Sequence, residues 1–165
     1  MILFLVGMPA SGKSTLAKKI AEKYPFLLVD LDNYIQEKYQ KTIPEIFLQG
    51  GESLFRELET KSLKELNLIQ NTIVSTGGGT PCFYDNMDFI MNRGLAIFLD
   101  TPLTKISERI SKDISQRPMF QGKTLEEIQT QLENLYQQRK LFYQKAHYRI
   151  IKEEDFFELE LIKNI

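Results

Sequence analysis

Residues 7–14 read GMPASGKS, between an apolar run at 2–6 and a stretch from Lys13 whose apolar residues recur at helical spacing. Strand, glycine-bearing loop and helix in that order constrain the chain strongly. Glycine lets the backbone wrap closely, so successive N–H groups and the positive end of the next helix face one anion. Lys13 is placed to reach the distal phosphates of a nucleotide. Ser14 offers a neutral oxygen of the kind Mg²⁺ accepts. Residues Ala10, Ser11, Gly12, Lys13, Ser14 and Thr15 are therefore read as a triphosphate-binding P-loop.

That loop is shared by kinases, GTPases, motors and transporters, so the rest of the chain must supply the class. Apolar runs and breakers predict strands at 2–6, 27–29, 72–75, 95–99 and 148–151. Helices are predicted at 13–23, across 32–68 with a break near Gly50 and Gly51, at 102–113, at 125–145, and at the end of the chain. Short, wholly apolar strands alternating with helices suit a parallel sheet covered on both faces, a three-layer α/β/α sandwich. Thr101 is expected to cap a helix starting at Pro102, and Thr124 with Glu127 to form a capping box. The polar segment SQRPMFQG, 115–122, reads as a lid.

At 165 residues the chain fits one domain, and 21 basic against 22 acidic residues leave no global field for nucleic acid or an anionic membrane. Neither partner is expected. A single cysteine, Cys82, and the lack of a charged-then-apolar leader predict a reducing, cytoplasmic setting. No guanine-reading NKxD sequence is present.

The acceptor side is sought among carboxylates, arginines and glycines downstream of the loop. Asp30 and Asp32, in VDLDNY, would point to the same side of an extended segment, one near a metal's water shell and one accepting a hydroxyl proton. The alternative is that Asp32 caps the next helix and Asp30 merely ends the strand. Arg139 interrupts an apolar stripe formed by Leu125, Ile128, Leu132, Leu135 and Phe142. Turned inward, its fork suits a carboxylate, either a ligand's or the protein's own. Gly77, Gly78 and Gly79 follow a strand, where a ligand can approach the backbone or the chain can simply bend sharply. Arg117 either closes over phosphates or is a solvated surface arginine. Arg56 stands three residues from Glu59, an ordinary helical pairing distance. His147 and Cys82 are given no chemical role, and the late Tyr and Phe residues are read as core.

GMPASGKS, DLD, GESLFRELE, STGGGTP, QRP and RKLFYQKAHY stand in one order, and on them the chain resembles the shikimate kinase family over residues 3–148. The resemblance implies a five-stranded parallel sheet of order 2-3-1-4-5 in a single P-loop kinase domain, 1–165. Acceptor-binding helices would fall at about 32–68 and a mobile lid at about 112–124. It implies MgATP-dependent phosphorylation of the 3-hydroxyl of shikimate, in aromatic amino-acid biosynthesis, by a monomer with shikimate and ATP as its partners.

Carried over by residue, Asp32 would bind and activate the acceptor hydroxyl, while Arg56 and Arg139 would hold its carboxylate. Gly78 would offer backbone to the ring hydroxyls. Ser14 would bind Mg²⁺ with Asp30 in its outer shell, and Lys13 and Arg117 would meet the phosphates. Arg109 would lie near adenine, and Glu59 would orient Arg56. The chain departs from the family in reading RPMF in the lid. It also has Asp100 after the strand at 95–99, where a part in starting the next helix is expected instead of a metal role. A gluconate kinase of the same fold would not need the DLD, FRELE and GGG set, and a P-loop switch would need no acceptor pocket.

Overall fold

The central strand β1 (Ile2–Val6) is apolar along its length because both of its faces are covered. Leu3 and Leu5 join one cluster with Leu16, Ala17, Ile20 and Phe156. Phe4 and Val6 join another with Leu31, Ile35, Ile106 and Tyr143. The computed structural model describes residues 1–68, 71–113 and 120–160. With β1 run β2 (Leu27–Asp30), β3 (Thr72–Ser75), β4 (Leu95–Leu99) and β5 (Tyr148–Ile150), all parallel and ordered β2-β3-β1-β4-β5. The expected sheet order and layering are both observed.

Helix α1 (Lys13–Lys23) and α7 (Glu153–Glu158) supply Leu16, Ile20 and Phe156 to one face of the sheet. The other face takes α2 (Leu31–Tyr39), α3 (Ile43–Glu65), α4 (Asn86–Arg93), α5 (Leu103–Lys112) and α6 (Leu125–Tyr143). No described helix is long and apolar enough to cross a membrane.

Several expectations about boundaries are corrected. The helical stretch expected at 32–68 is two helices, because Gln40 turns left-handed at φ 51° and Thr42 opens α3 with a capping box to Glu45. The expected break within α3 falls at Gly50 and Gly51. Helix α4, absent from the sequence reading, buries Met87 and Ile90 and ends at Gly94. Thr101 caps nothing: its hydroxyl donates to the Ser11 carbonyl at 2.8 Å, and Pro102 takes the cap position without a side-chain bond. Asp100 does not start α5, for it accepts from Arg149 of β5 (Nη2, 2.7 Å) and from the Tyr136 hydroxyl of α6 (3.3 Å). The capping box of Thr124 and Glu127 opens α6 as expected.

Candidate active site

All five strands point one way, so the loops after β1, β2 and β3 meet at one edge of the sheet. The P-loop after β1 turns through positive φ at Gly7, Ala10 and Gly12. A side chain on Gly7 would fall 2.6 Å from the Leu99 carbonyl oxygen, so glycine is required there by space as well as by conformation. Lys13, 6% exposed, donates to the carbonyls of Gly7 (3.0 Å) and Met8 (2.8 Å). From outside the loop, Arg109 Nη1 donates to the Ala10 (3.1 Å) and Ser11 (2.7 Å) carbonyls. The loop is thus braced from α5 and from Thr101.

Beside it opens a cavity of about 550 Å³ lined by Gly12, Lys13, Ser14, Thr15, Asp32, Gly78 and Arg109, among others. A neighbouring cavity of about 520 Å³ continues past Ser11, Thr101, Lys105, Arg109, Lys152 and Glu153. Arg109 and Glu153 line both, and Glu153 pairs with Lys19 of α1. Glu153 is not among the residues that the sequence singles out, since its segment carries no recognisable motif.

The Ser14 hydroxyl donates to Asp30 Oδ2 at 2.9 Å and lies 3.1 Å from the Ser75 hydroxyl at the end of β3. Ser75 was not named as a site residue, since a lone serine ending an apolar strand gives no signal. The hydroxyl of Thr76, the next residue, donates to the Leu5 carbonyl at 2.9 Å. Asp30 ends β2 and also caps α2, accepting from Asn33 N at 3.2 Å. Asp32 is therefore in the first helical turn, and the expectation of two aspartates alternating along an extended segment is corrected. The alternative is corrected too, since the capping aspartate is Asp30.

Asp32 still comes close to Asp30, to Glu59 and to Lys13, all of which act on its charge. Burial, followed by the negative charges of Glu59 and Asp30, lifts its carboxyl to about 6 against the opposing pull of Lys13 and Arg56. A side chain on Gly77 would lie 3.1 Å from Asp32 Oδ1 and 3.0 Å from Glu59 Oε1. The first glycine of the triplet is thus the gap in which two carboxylates approach one another.

Arg56, 8% exposed, is held on several sides. Its Nη1 donates to buried Glu59 at 2.7 Å, and its Nε and Nη2 donate to Glu52 at 3.2 and 3.1 Å. Thr80 donates to the other Glu59 oxygen at 2.6 Å. The Phe83 ring lies 4.2 Å from the guanidinium carbon, and a side chain on Gly79 would fall 2.7 Å from that carbon. Arg139 is half-buried, and no carboxylate pairs with it among the described residues. Of its expected stripe, Ile128 and Leu132 are buried but Leu125 is 48% exposed, and the buried residue at the far end is Tyr143, not Phe142. Both arginines act on the charges of Cys82 and Tyr143, so they converge on one region. Gly78 accepts from the Tyr143 hydroxyl at 2.5 Å. Arg117, with residues 114–119 of the expected lid, lies outside the described residues. His147 is exposed and accepts from Ala96 N at 3.0 Å.

A parallel sheet in this order, with a lysine-bearing phosphate loop after its central strand and a half-buried carboxylate lining the cavity, defines a P-loop kinase. The chain matches the sequence profile of shikimate kinase over residues 9–165. It is 40% identical to the shikimate kinase of Bacteroides thetaiotaomicron over 146 residues, 88% of this chain and 83% of that one. It is 37% identical to the shikimate kinase of Clostridium botulinum over 165 residues, 99% and 95% of the two chains. The fold superposes on the crystal structure of the Bacteroides thetaiotaomicron shikimate kinase with a TM-score of 0.88, at 38% identity over 93% of this chain and 87% of that one. For the Acinetobacter baumannii shikimate kinase in complex with shikimate the TM-score is 0.87, at 31% identity over 99% and 94%. The chain belongs to the shikimate kinase family.

Proposed function

We propose that this chain carries out its family's reaction, transfer of the γ-phosphoryl group of ATP to the 3-hydroxyl of shikimate, at the edge where the P-loop, Asp32 and the two arginines meet. The observation that carries the reading is the position of Asp32. Its carboxylate lines the same cavity as Lys13 and Ser14 and is influenced by Arg56 on its other side. A group between a phosphate cradle and an arginine pocket can serve both substrates.

In this reading the P-loop amides of Ala10, Ser11, Gly12, Lys13, Ser14 and Thr15 hold the phosphates. Lys13 leaves the Gly7 and Met8 carbonyls to follow the transferring group. Arg56 and Arg139 clamp the acceptor's carboxylate, which supplies the anion that Arg139 lacks among the described residues. Arg56 arrives pre-oriented, because Glu59 and Phe83 already restrict it. The Gly78 backbone faces the ring hydroxyls, and Asp32 orients the reacting hydroxyl and takes its proton as the bond to phosphorus forms. Its burial-raised pKa keeps it a useful acceptor near neutral pH. Arg109 meets the nucleotide toward the base, and Arg117 closes over the phosphates to exclude water.

The donor set fits Mg²⁺ held jointly by protein, phosphates and water. Ser14, Asp30 and Ser75 present only oxygen atoms, and the described residues contain no cluster of three or more His, Cys, Asp or Glu able to hold a metal alone. Bound there, Mg²⁺ would neutralise charge on the phosphates. Positioning and charge neutralisation then supply the catalysis. We take the chain as one kinase unit, with acceptor-binding helices α2 and α3, working as a cytoplasmic monomer.

The deciding experiment measures ADP release from MgATP with shikimate, with gluconate and with no acceptor. The expected result is strong stimulation by shikimate and none by gluconate. Nucleotide binding without stimulation by shikimate would remove the acceptor assignment and leave the P-loop reading intact.

A further inference from the structure

The Tyr143 side chain is fully buried, and a phenylalanine would fill the same space against Phe98, whose ring lies 5.1 Å away. A buried hydroxyl is costly unless it is partnered, so the position of its partners is informative. The phenol donates to the Gly78 carbonyl at 2.5 Å, and the Met8 sulfur of the P-loop lies 3.9 Å from the same oxygen. Arg139 stands one turn earlier on α6, and its charge acts on the phenol. Gly78 is confined on its other side, since a side chain there would fall 2.6 Å from Pro9 Cδ. One oxygen therefore joins α6, the triple-glycine loop and the edge of the P-loop.

We propose that the Tyr143 hydroxyl is a positioning group for the acceptor, holding the Gly78 peptide in register with the turn of α6 that carries Arg139. The inference rests on the clamp reading of Arg139 given above. A peptide unit is planar, so holding the Gly78 carbonyl also fixes the plane of the link to Gly79, whose α-carbon abuts Arg56. Arg139 sits on a half-exposed helix face with no protein carboxylate to restrain it among the described residues. The bond to Gly78 ties this turn of the helix to the glycine loop through a neutral group, which leaves the positive charge of Arg139 uncompensated. A tyrosine does this where an aspartate would not, because an anion at this place would satisfy the arginine and compete with the acceptor's carboxylate.

The test is steady-state kinetics, with each substrate varied in turn, on Tyr143→Phe, Arg139→Lys and the double variant, together with thermal unfolding. Loss of the hydrogen bond that holds the Gly78 peptide predicts about a 5-fold rise in KM for shikimate in Tyr143→Phe. The KM for ATP and kcat should stay within about 2-fold, and the double variant should be little worse than Arg139→Lys alone. An unchanged shikimate KM in Tyr143→Phe, beside a raised one in Arg139→Lys, overturns the positioning role alone. So does a parallel rise in both KM values with a lowered Tm, which marks general core damage, and so do effects that multiply in the double variant. A normal shikimate KM in Arg139→Lys overturns the clamp reading and this inference with it.

Discussion

Asp32 carries two consequences of one environment. Its carboxyl titrates at about 6 in the folded chain against 3.8 in the open chain, chiefly because it is buried. The folded state therefore binds more protons than the unfolded state between these values, and its stability falls as pH rises through that window. Above it the ionised, half-buried carboxylate costs on the order of 3 kcal/mol, and below pH of about 4 the cost is gone. Asp32→Asn should raise the Tm near pH 7.5 and leave it unchanged near pH 4, while nearly abolishing turnover and preserving nucleotide binding. Thermal scans at the two pH values, with a binding isotherm for ATP, check this; full activity in the variant would remove the proposed role of Asp32. For the native chain, kcat/KM should fall below pH of about 6 as Asp32 protonates. A profile flat down to pH of about 5 would contradict that assignment.

Helix α3 shows how an element's irregularity serves a site. Its first part buries Ile46, its second part carries Arg56 and Glu59 inward, and the two are joined by Gly50 and by Gly51 at φ 67°, ψ −165°. That conformation is nearly restricted to glycine, yet an added side chain at Gly51 would meet nothing within 4 Å. Gly51→Ala should therefore act through the backbone alone, costing about 1–3 kcal/mol in denaturant unfolding. It should also raise the shikimate KM, because the Arg56 segment would be re-angled. Unaltered stability would mean that the joint relaxes to another shape without strain.

On the scale of the molecule, the cavity proposed for the nucleotide draws on β1 through its loop, on α1 and α2, on the glycine loop after β3, and on α5 and α7. A ligand touching so many elements should stabilise the fold as a whole. At 100 times its dissociation constant, ATP with magnesium should add about 2.7 kcal/mol, seen as a higher Tm. Lys13→Ala should abolish most of that gain at the same nucleotide concentration. Persistence of the full shift in that variant would place the bound phosphates elsewhere.

Much of this was legible locally. The P-loop, the capping box at Thr124, the glycine break in α3 and the doubly covered apolar strands are all patterns within a dozen residues, where backbone geometry and burial period act directly. Together with the motif order they determined the fold class, the sheet order and the family. Several of the assignments that changed or were missed concern groups whose partners are remote. Thr101 looks like a helix cap until its hydroxyl is seen on Ser11, 90 residues away. Ser75 meets Ser14 across 61 residues, and Tyr143 reaches Gly78 across 65. A polar side chain's local options differ by about a kilocalorie, comparable to the net worth of one hydrogen bond. The sequence therefore determined which groups were present and on which elements, and the packing of those elements decided which partner each group took.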